Sequence, residues 1–329
     1  MGPQAPKRAL GAIAMLRRSI LAGLLTSPAL AQTPERALRL IIAFPPGGST
    51  DILGRLIAPR MGEVLGAVVT PENRSGASGA VGAGFVAQAA PDGGTVLLDS
   101  GGQSVNPFLM RGLAFDYVRD LAPVTLLATL PLILITGAEY GVADLPALLA
   151  RLRAAPDQAS YGSVGVGSRT HLASASLLRR AGLKGEHIPY RGGADQMAGL
   201  LRGDVPFGFT SLALAAPLIR EGRARAIGLS APTRSTAFPA LPTISEQGFA
   251  GFQMGDWLGL LAPAATPAHV IARLAAAAKD SVEHPALAPR LEALGLTPAA
   301  EGPEAFARFL AAERAEMREL IAAEGIRLE

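Results

Sequence analysis

The sequence predicts an α/β protein of two domains, built on parallel sheets with helices on both faces. Three observations carry this. Short apolar runs alternate with stretches of helical periodicity along most of the chain. Strands separated by helices of this length join in parallel through right-handed crossovers. The part that follows the N-terminal segment is about 298 residues long (329 less 31), more than one hydrophobic core ordinarily serves.

Residues 1–31 stand apart. Met15-Leu16-Arg17-Arg18 precedes an apolar run, Ile20 to Leu25, then Pro28 and the triplet Ala29-Leu30-Ala31. A basic segment, a short apolar core and an A-x-A stop make a secretory signal cut after Ala31, which predicts a periplasmic protein beginning at Gln32. The apolar core is too short for a bilayer, which takes about 20 residues. The alternative is an ordinary amphipathic first helix, but the stretch holds four basic residues and no acidic one. Translation from Met1 and from Met15 both fit.

The signal also dominates the charge. The chain has 30 basic and 27 acidic side chains. Lys7, Arg8, Arg17 and Arg18 lie in the signal, and four fewer leaves 26 basic against 27 acidic. So near a balance excludes a nucleic-acid binder that works through net positive charge. There is no cysteine, which removes thiol catalysis, cysteine-bound zinc and iron–sulfur clusters. A chain of this size buries enough surface to do without disulfides. The longest later apolar stretch, Leu121 to Thr136, is cut by Pro123 and Pro131. It reads as buried strands, so the mature protein is expected to be soluble.

The elements follow in order. Arg39 to Phe44 is a buried strand ended by Pro45-Pro46-Gly47-Gly48. Ser49 to Met61 sets Ile52, Leu53, Leu56, Ile57 and Met61 on one helical face. Val68 to Thr70 is a short strand, Ala80 to Ala90 a helix stopped by Pro91-Asp92-Gly93-Gly94, and Thr95 to Leu98 a strand. Leu126 to Ile135 is long, apolar and partly β-branched. Leu145 to Arg153 is a helix with Pro146 at a tolerated early position. Tyr161 and Gly162 end a strand before a helix from Thr170 to Ala181. Ile188 to Tyr190 is extended, Ala194 to Leu201 helical and Val205 to Thr210 a strand. Leu214 to Glu221 is a helix closed by Gly222, and Ala226 to Ser230 a strand. The last seventy residues read as mostly helical, in His269 to Val282, Leu287 to Leu294 and Glu304 to Gly325.

Ligands of open α/β sheets bind beyond the carboxyl ends of strands, and three turns there are rich in Gly, Ser and Thr. They are Phe44 to Asp51, Asn73 to Ala80 and Ser163 to His171. Glycine lets backbone approach a ligand closely, and free N–H groups at a helix start attract an anion. The hydroxyls of Ser49, Thr50, Ser78, Ser168 and Thr170 suit either a carboxylate or a helix cap. None of the turns is a P-loop or a dinucleotide fingerprint.

The ordered motifs resemble those of the tripartite tricarboxylate transporter receptors, the Bug-type extracytoplasmic solute receptors. Phe44-Pro45-Pro46-Gly47-Gly48-Ser49-Thr50-Asp51 resembles their first signature, Glu72-Asn73-Arg74 the second and Ala90-Pro91-Asp92-Gly93 the next turn. Asp120 to Val124, Tyr161 to Ala173, Pro189-Tyr190-Arg191-Gly192, Leu241-Pro242-Thr243 and Trp257 to Pro263 continue the series. The resemblance covers essentially the whole mature chain. It implies a type II periplasmic-binding-protein fold, two α/β lobes joined by two crossovers with the ligand cleft between them. Lobe one is expected at 33–127 plus 256–329 and lobe two at 128–255. It further implies a monomeric receptor without cofactor or metal. Its ligand is a di- or tricarboxylate, an acidic amino acid or an aromatic acid, passed to membrane permease subunits or reported to a sensor kinase. The sequence departs from the family pattern at Ser75, Ser78, Asp195 and Thr210-Ser211, all in loops expected to face the cleft.

The expected carboxylate clamp is Gly48, Ser49, Thr50 and Asp51 from one lobe, with Gly167, Ser168 and His171 from the other. Asp51, ionised, would cap its helix or accept from a ligand amine or hydroxyl. Arg191 is a candidate lid or second-carboxylate partner, or a solvated surface arginine. Trp257 and Phe44 are candidate cleft walls, and Trp257 is equally a core residue. Asn73, Ser100 and Ser163 complete the candidate set. An exported hydrolase is the reading from another class. No Gly-x-Ser-x-Gly or His-Glu-x-x-His occurs, and Ser168 with His171 lacks an evident orienting acid.

Overall fold

The computed structural model describes residues 37–235 and 238–326, together with Met1 and Gly2. The expected signal core and cleavage site lie outside the described residues. In chain order the elements are β1 (Ala37–Ile42), α1 (Ser49–Leu65), β2 (Val68–Asn73), α2 (Ala80–Ala87), β3 (Thr95–Asp99), α3 (Gly102–Leu109) and β4 (Leu121–Gly137). Next come α4 (Leu145–Ala154), β5 (Ser160–Ser163), α5 (Arg169–Arg180), β6 (Glu186–Pro189), α6 (Gly193–Arg202), β7 (Phe207–Ser211), α7 (Leu212–Arg220) and β8 (Ala224–Ser230). The chain ends through β9 (Gly255–Pro263), α8 (Ala268–Val282), α9 (Ala288–Ala293), β10 (Thr297–Glu301) and α10 (Pro303–Glu324).

Two sheets share β4. The first runs β2-β1-β3-β9-β4, with β10 also on β4, and the second runs β4-β7-β5-β6, with β8 also on β4. Leu121 to Pro131 of β4 pairs with β9, whereas Leu132 to Gly137 pairs with β7 and β8. The change of partners therefore falls between Pro131 and Leu132.

Alternation along the strands makes the cores, each buried Leu or Ile contributing roughly 1.5–3 kcal/mol. Leu40 and Ile42 pack with Leu53 and Ile57 of α1 and Leu274 of α8. Their neighbour Ile41 faces the other way, onto Val86 of α2 and Phe306 and Leu310 of α10. In the second sheet Leu132 and Leu134 pack with Leu172 of α5, Leu148 of α4 and Met317 and Ile321 of α10. Ile133 and Ile135 meet Met197 of α6 and Leu212 of α7. Thus α10 packs its first half on one sheet and its second half on the other.

The expectation of parallel sheets holds for β1 with β2 and β3, and for β5 with β6 and β7. It fails for β4, β8, β9 and β10, which run antiparallel to their neighbours. Both prolines are accommodated within β4. Pro123 sits where the ladder with β9 shifts register, and Pro131 ends that ladder, so neither removes a donor that an unbroken ladder needs. The C-terminal region is less helical than expected, since β9 and β10 lie within it. Helix α3 was not anticipated; Pro107 lies inside it, and its apolar face is only two residues deep.

Candidate functional site

Three helices that begin without a side-chain cap follow β1, β6 and β7. α1 starts after Gly48, α6 after Gly192 and α7 after Ser211. The first N–H groups of a helix have no partner inside it, and the helix dipole adds positive potential there. All three starts open into one cleft of about 710 Å³. The first sheet's side supplies Phe44, Gly48, Ser49, Thr50, Ser78 and Ser100. The second supplies Gly165, Thr170, Arg191, Thr210 and Ser211. Leu130, Leu132, Leu214 and Leu258 line it with aliphatic surface.

The two sides touch across the cleft. Ser49 Oγ donates to Ser211 Oγ at 2.7 Å, and Ser78 Oγ to the Val166 carbonyl at 3.1 Å. Gly167 has φ +74°, and a Cβ there would lie 2.4 Å from Leu109 of α3, so only glycine fits. Thr210 is 1% exposed and its hydroxyl has no hydrogen-bond partner.

The charges lining the cleft are Arg191, Asp195 and Asp256. Arg191 and Asp195 are exposed and form no side-chain hydrogen bond or ion pair among the described residues. Asp256 Oδ1 accepts from the amides of Trp257 (2.8 Å) and Gly101 (3.1 Å), and burial pushes its carboxyl up. Asp99, fully buried at the end of β3, is pushed up to about 7 by burial and accepts from the Ser100 amide at 2.8 Å.

Several sequence candidates stand elsewhere. Burial alone would raise Asp51, but hydrogen bonds from Arg55 (2.9 Å), the Gly47 amide (2.9 Å) and Asn73 (2.8 Å) hold it below its usual value. Asn73 also donates to the Phe44 carbonyl at 2.9 Å. Asp51 and Asn73 therefore brace the first turn from behind and do not line the cleft. In the third turn Ser168 caps α5 itself, accepting from the His171 amide at 3.2 Å. His171 Nδ1 accepts from the Gly167 amide at 3.0 Å, and its ring stacks on His187 at 3.7 Å. Ser163 Oγ lies 2.6 Å from His187 Nε2. Burial lowers His171 to about 3, helped by His187, and lowers His187 to about 4. Gly167, Ser168, His171 and Ser163 thus form an internal network, and the loop's contribution to the cleft is Val164, Gly165 and Thr170. Trp257 is 1% exposed, edge-on to Phe306 and Phe309, and donates to Glu313 at 3.2 Å. It borders a second cavity of about 820 Å³, which shares Leu130 and Asp256 with the cleft.

Sequence reasoning missed the starts of α6 and α7 and the leucines of the wall. Thr210-Ser211 and Asp195 had stood out as departures from a pattern, which was the available signal. Among the described residues no group of three or more His, Cys, Asp or Glu is placed to hold a metal ion. Nor is any helix long and apolar enough to cross a membrane.

The chain is similar to one family of known proteins. Residues 53–326 match the profile of a family described as "Tripartite tricarboxylate transporter family receptor". Protein BugT of Bordetella pertussis is 32% identical over 292 residues, covering 88% of this chain and 90% of BugT. The periplasmic binding protein BugD superposes with a TM-score of 0.85 at 28% identity, over 90% of this chain and 100% of BugD. An R. palustris protein solved with adipate gives 0.86 at 29% identity, over 90% and 99% of the two chains. MatC from Rhodopseudomonas palustris, solved with malate, gives 0.82 at 30%, over 88% and 99%.

Proposed function

The chain belongs to the tripartite tricarboxylate transporter receptor family, and from that premise we propose that it captures a small organic carboxylate in the cleft and hands it to a membrane permease. The observation that carries the reading is the meeting of three uncapped helix starts, from both sides, in one cleft. A carboxylate leaves water only if its hydrogen bonds are replaced. N–H and O–H donors replace them here without a cation at the point of contact. Each bond to a charged acceptor contributes roughly 1.5–3 kcal/mol. Three or four contribute about 4.5–12 kcal/mol before the cost of association, and burial of the ligand's apolar part against the leucines adds the rest of a micromolar affinity, about −8 kcal/mol. The adipate and malate held by two relatives support a carboxylate as ligand.

The receptor works as an exported monomer, cut after Ala31, and carries out no reaction. In support of the last point, Ser168 Oγ donates to the Gly165 carbonyl at 2.7 Å, and His171 Nδ1 is taken by the Gly167 amide. The pair is therefore not arranged as nucleophile and base. The lobes of the fold close on the ligand, and contacts made only when shut tell the permease that the site is filled.

The test is calorimetry and thermal melting of mature protein freed of co-purified solute, with a panel of mono-, di- and tricarboxylates. Binding of at least one, weakened in Ser49→Ala/Thr50→Ala protein that still folds, is the expected result. A silent panel rejects the reading. N-terminal sequencing of the exported protein should begin at Gln32.

A further inference from the structure

Resting on the carboxylate reading above, we propose that the ligand is a monocarboxylate with an apolar body, and that Asp195 is the residue that turns dicarboxylates away. One carboxylate is provided for. The starts of α1 and α7 are joined by the Ser49–Ser211 hydrogen bond, and the buried Thr210 hydroxyl beside them has no partner inside the protein. Away from that point Leu130, Leu132, Leu214 and Leu258 give the wall an aliphatic stretch that suits a hydrocarbon chain or ring, beside the hydroxyls of Ser78, Ser100 and Thr170. A cleft of about 710 Å³ has room for such a body, lying within the range of roughly 300–1,000 Å³ that holds drug-sized ligands.

The uncapped start of α6, across the cleft from α1, is where a second carboxylate would go. It already carries its own anion, since Asp195 stands in its first turn. Asp195 lines the cleft, is exposed, and is neutralised by no hydrogen bond or ion pair among the described residues. Arg191 is the one cation among the lining residues; Asp256, the other lining carboxylate beside Asp195, is buried and has the charge of Arg169 acting on it. A dicarboxylate held at the start of α6 would bring its second negative charge against the unpaired carboxylate of Asp195. An apolar tail incurs no such repulsion. Placing a like charge where the unwanted ligand would sit is a direct route to discrimination.

The decisive pair of probes is hexanoate and adipate, which share a six-carbon chain and differ in the second carboxylate. Titration calorimetry on the ligand-free mature protein should find hexanoate bound at least about tenfold more tightly, a difference of about 1.4 kcal/mol. In Asp195→Asn protein the ratio should fall to within about threefold, because the amide keeps the shape and removes the charge. Asp195→Ala gives the same comparison without the amide's hydrogen bonds. Melting curves confirm that the variants fold, as expected of an exposed side chain without partners. Adipate bound as tightly as hexanoate by the unaltered protein overturns the proposal and leaves the carboxylate reading standing. A ratio unchanged in both variants removes Asp195 from the discrimination. Failure of every carboxylate in the panel overturns this proposal and the reading beneath it together.

Discussion

Ser49 Oγ and Ser211 Oγ lie 2.7 Å apart, one in the first turn of α1 and the other immediately ahead of α7. The bond joins two helix starts that belong to different sheets. Both starts line the same cleft.

The first prediction concerns this pair. A hydroxyl–hydroxyl bond contributes about 1 kcal/mol net, so Ser211→Ala should barely alter the melting temperature. Carboxylate affinity should fall by about threefold to tenfold, since the Ser211 hydroxyl, which accepts from Ser49 and keeps its own proton to donate, is lost to the ligand. Calorimetry beside thermal melting separates the effects. A large fall in melting temperature with affinity intact would make the pair a clasp and not part of the binding site.

The stacked histidines predict acid sensitivity. His171 and His187 are held near 3 and near 4 by burial. Below their unperturbed value of about 6.5 the unfolded chain takes up protons that the folded chain refuses. Stability is therefore lost as pH falls from about 6.5 toward 4. Urea unfolding between pH 7.5 and 4.5 should show this decline, and His187→Gln should make it shallower. An identical slope in the variant would place the acid-sensitive groups elsewhere.

Asp99 predicts the opposite trend. Burial raises it from 3.8 to about 7, and the nearby Asp256 charge adds to this. Between those values the folded state holds a proton that the unfolded state releases, so stability is lost as pH rises through about 7. Asp99→Asn keeps an acceptor for the Ser100 amide and carries no charge. It should be more stable than the parent at pH 8, with the advantage gone near pH 4. An advantage that persists at pH 4 would point to packing and not to charge.

The buried pair of Arg169 and Glu313 makes a fourth prediction. Their side chains are 4% and 15% exposed, and Glu313 also accepts from Trp257. Arg169→Met leaves both Glu313 and the buried Asp256 without their cation and should cost about 3–5 kcal/mol. Adding Glu313→Gln should restore part of that, since Asp256 stays uncompensated. Denaturant unfolding followed by the fluorescence of Trp257, the chain's single tryptophan, measures both. Equal losses in the single and double variants would contradict an ion-pair origin.

How legible the molecule is from its residues varies by place. β1, α1 and the helices of the second sheet announce themselves, because their apolar residues recur at the spacing of the face they bury. β10, Thr-Pro-Ala-Ala-Glu, has no apolar run to give it away. Pro123 and Pro131 suggest breaks in β4 that do not occur, since pairing, which a linear chain does not display, decides whether a missing N–H matters. The first and third turns have similar compositions, yet Ser168 spends its hydroxyl on its own helix while the start of α1 stays open. Nothing in a count of glycines and serines separates those cases. The wall leucines look like any core residue until two sheets face each other.

The helix α10 is fastened to both halves, Phe306 and Leu310 to one and Met317 and Ile321 to the other. Halves joined only by strands are free to swing wide. A rigid 22-residue rod riveted across the seam permits rolling and sliding of packed surfaces and resists a gaping motion. For the receptor function proposed above, solute entry and escape would then turn on a parting at the rim, with the grip of those four side chains as its brake.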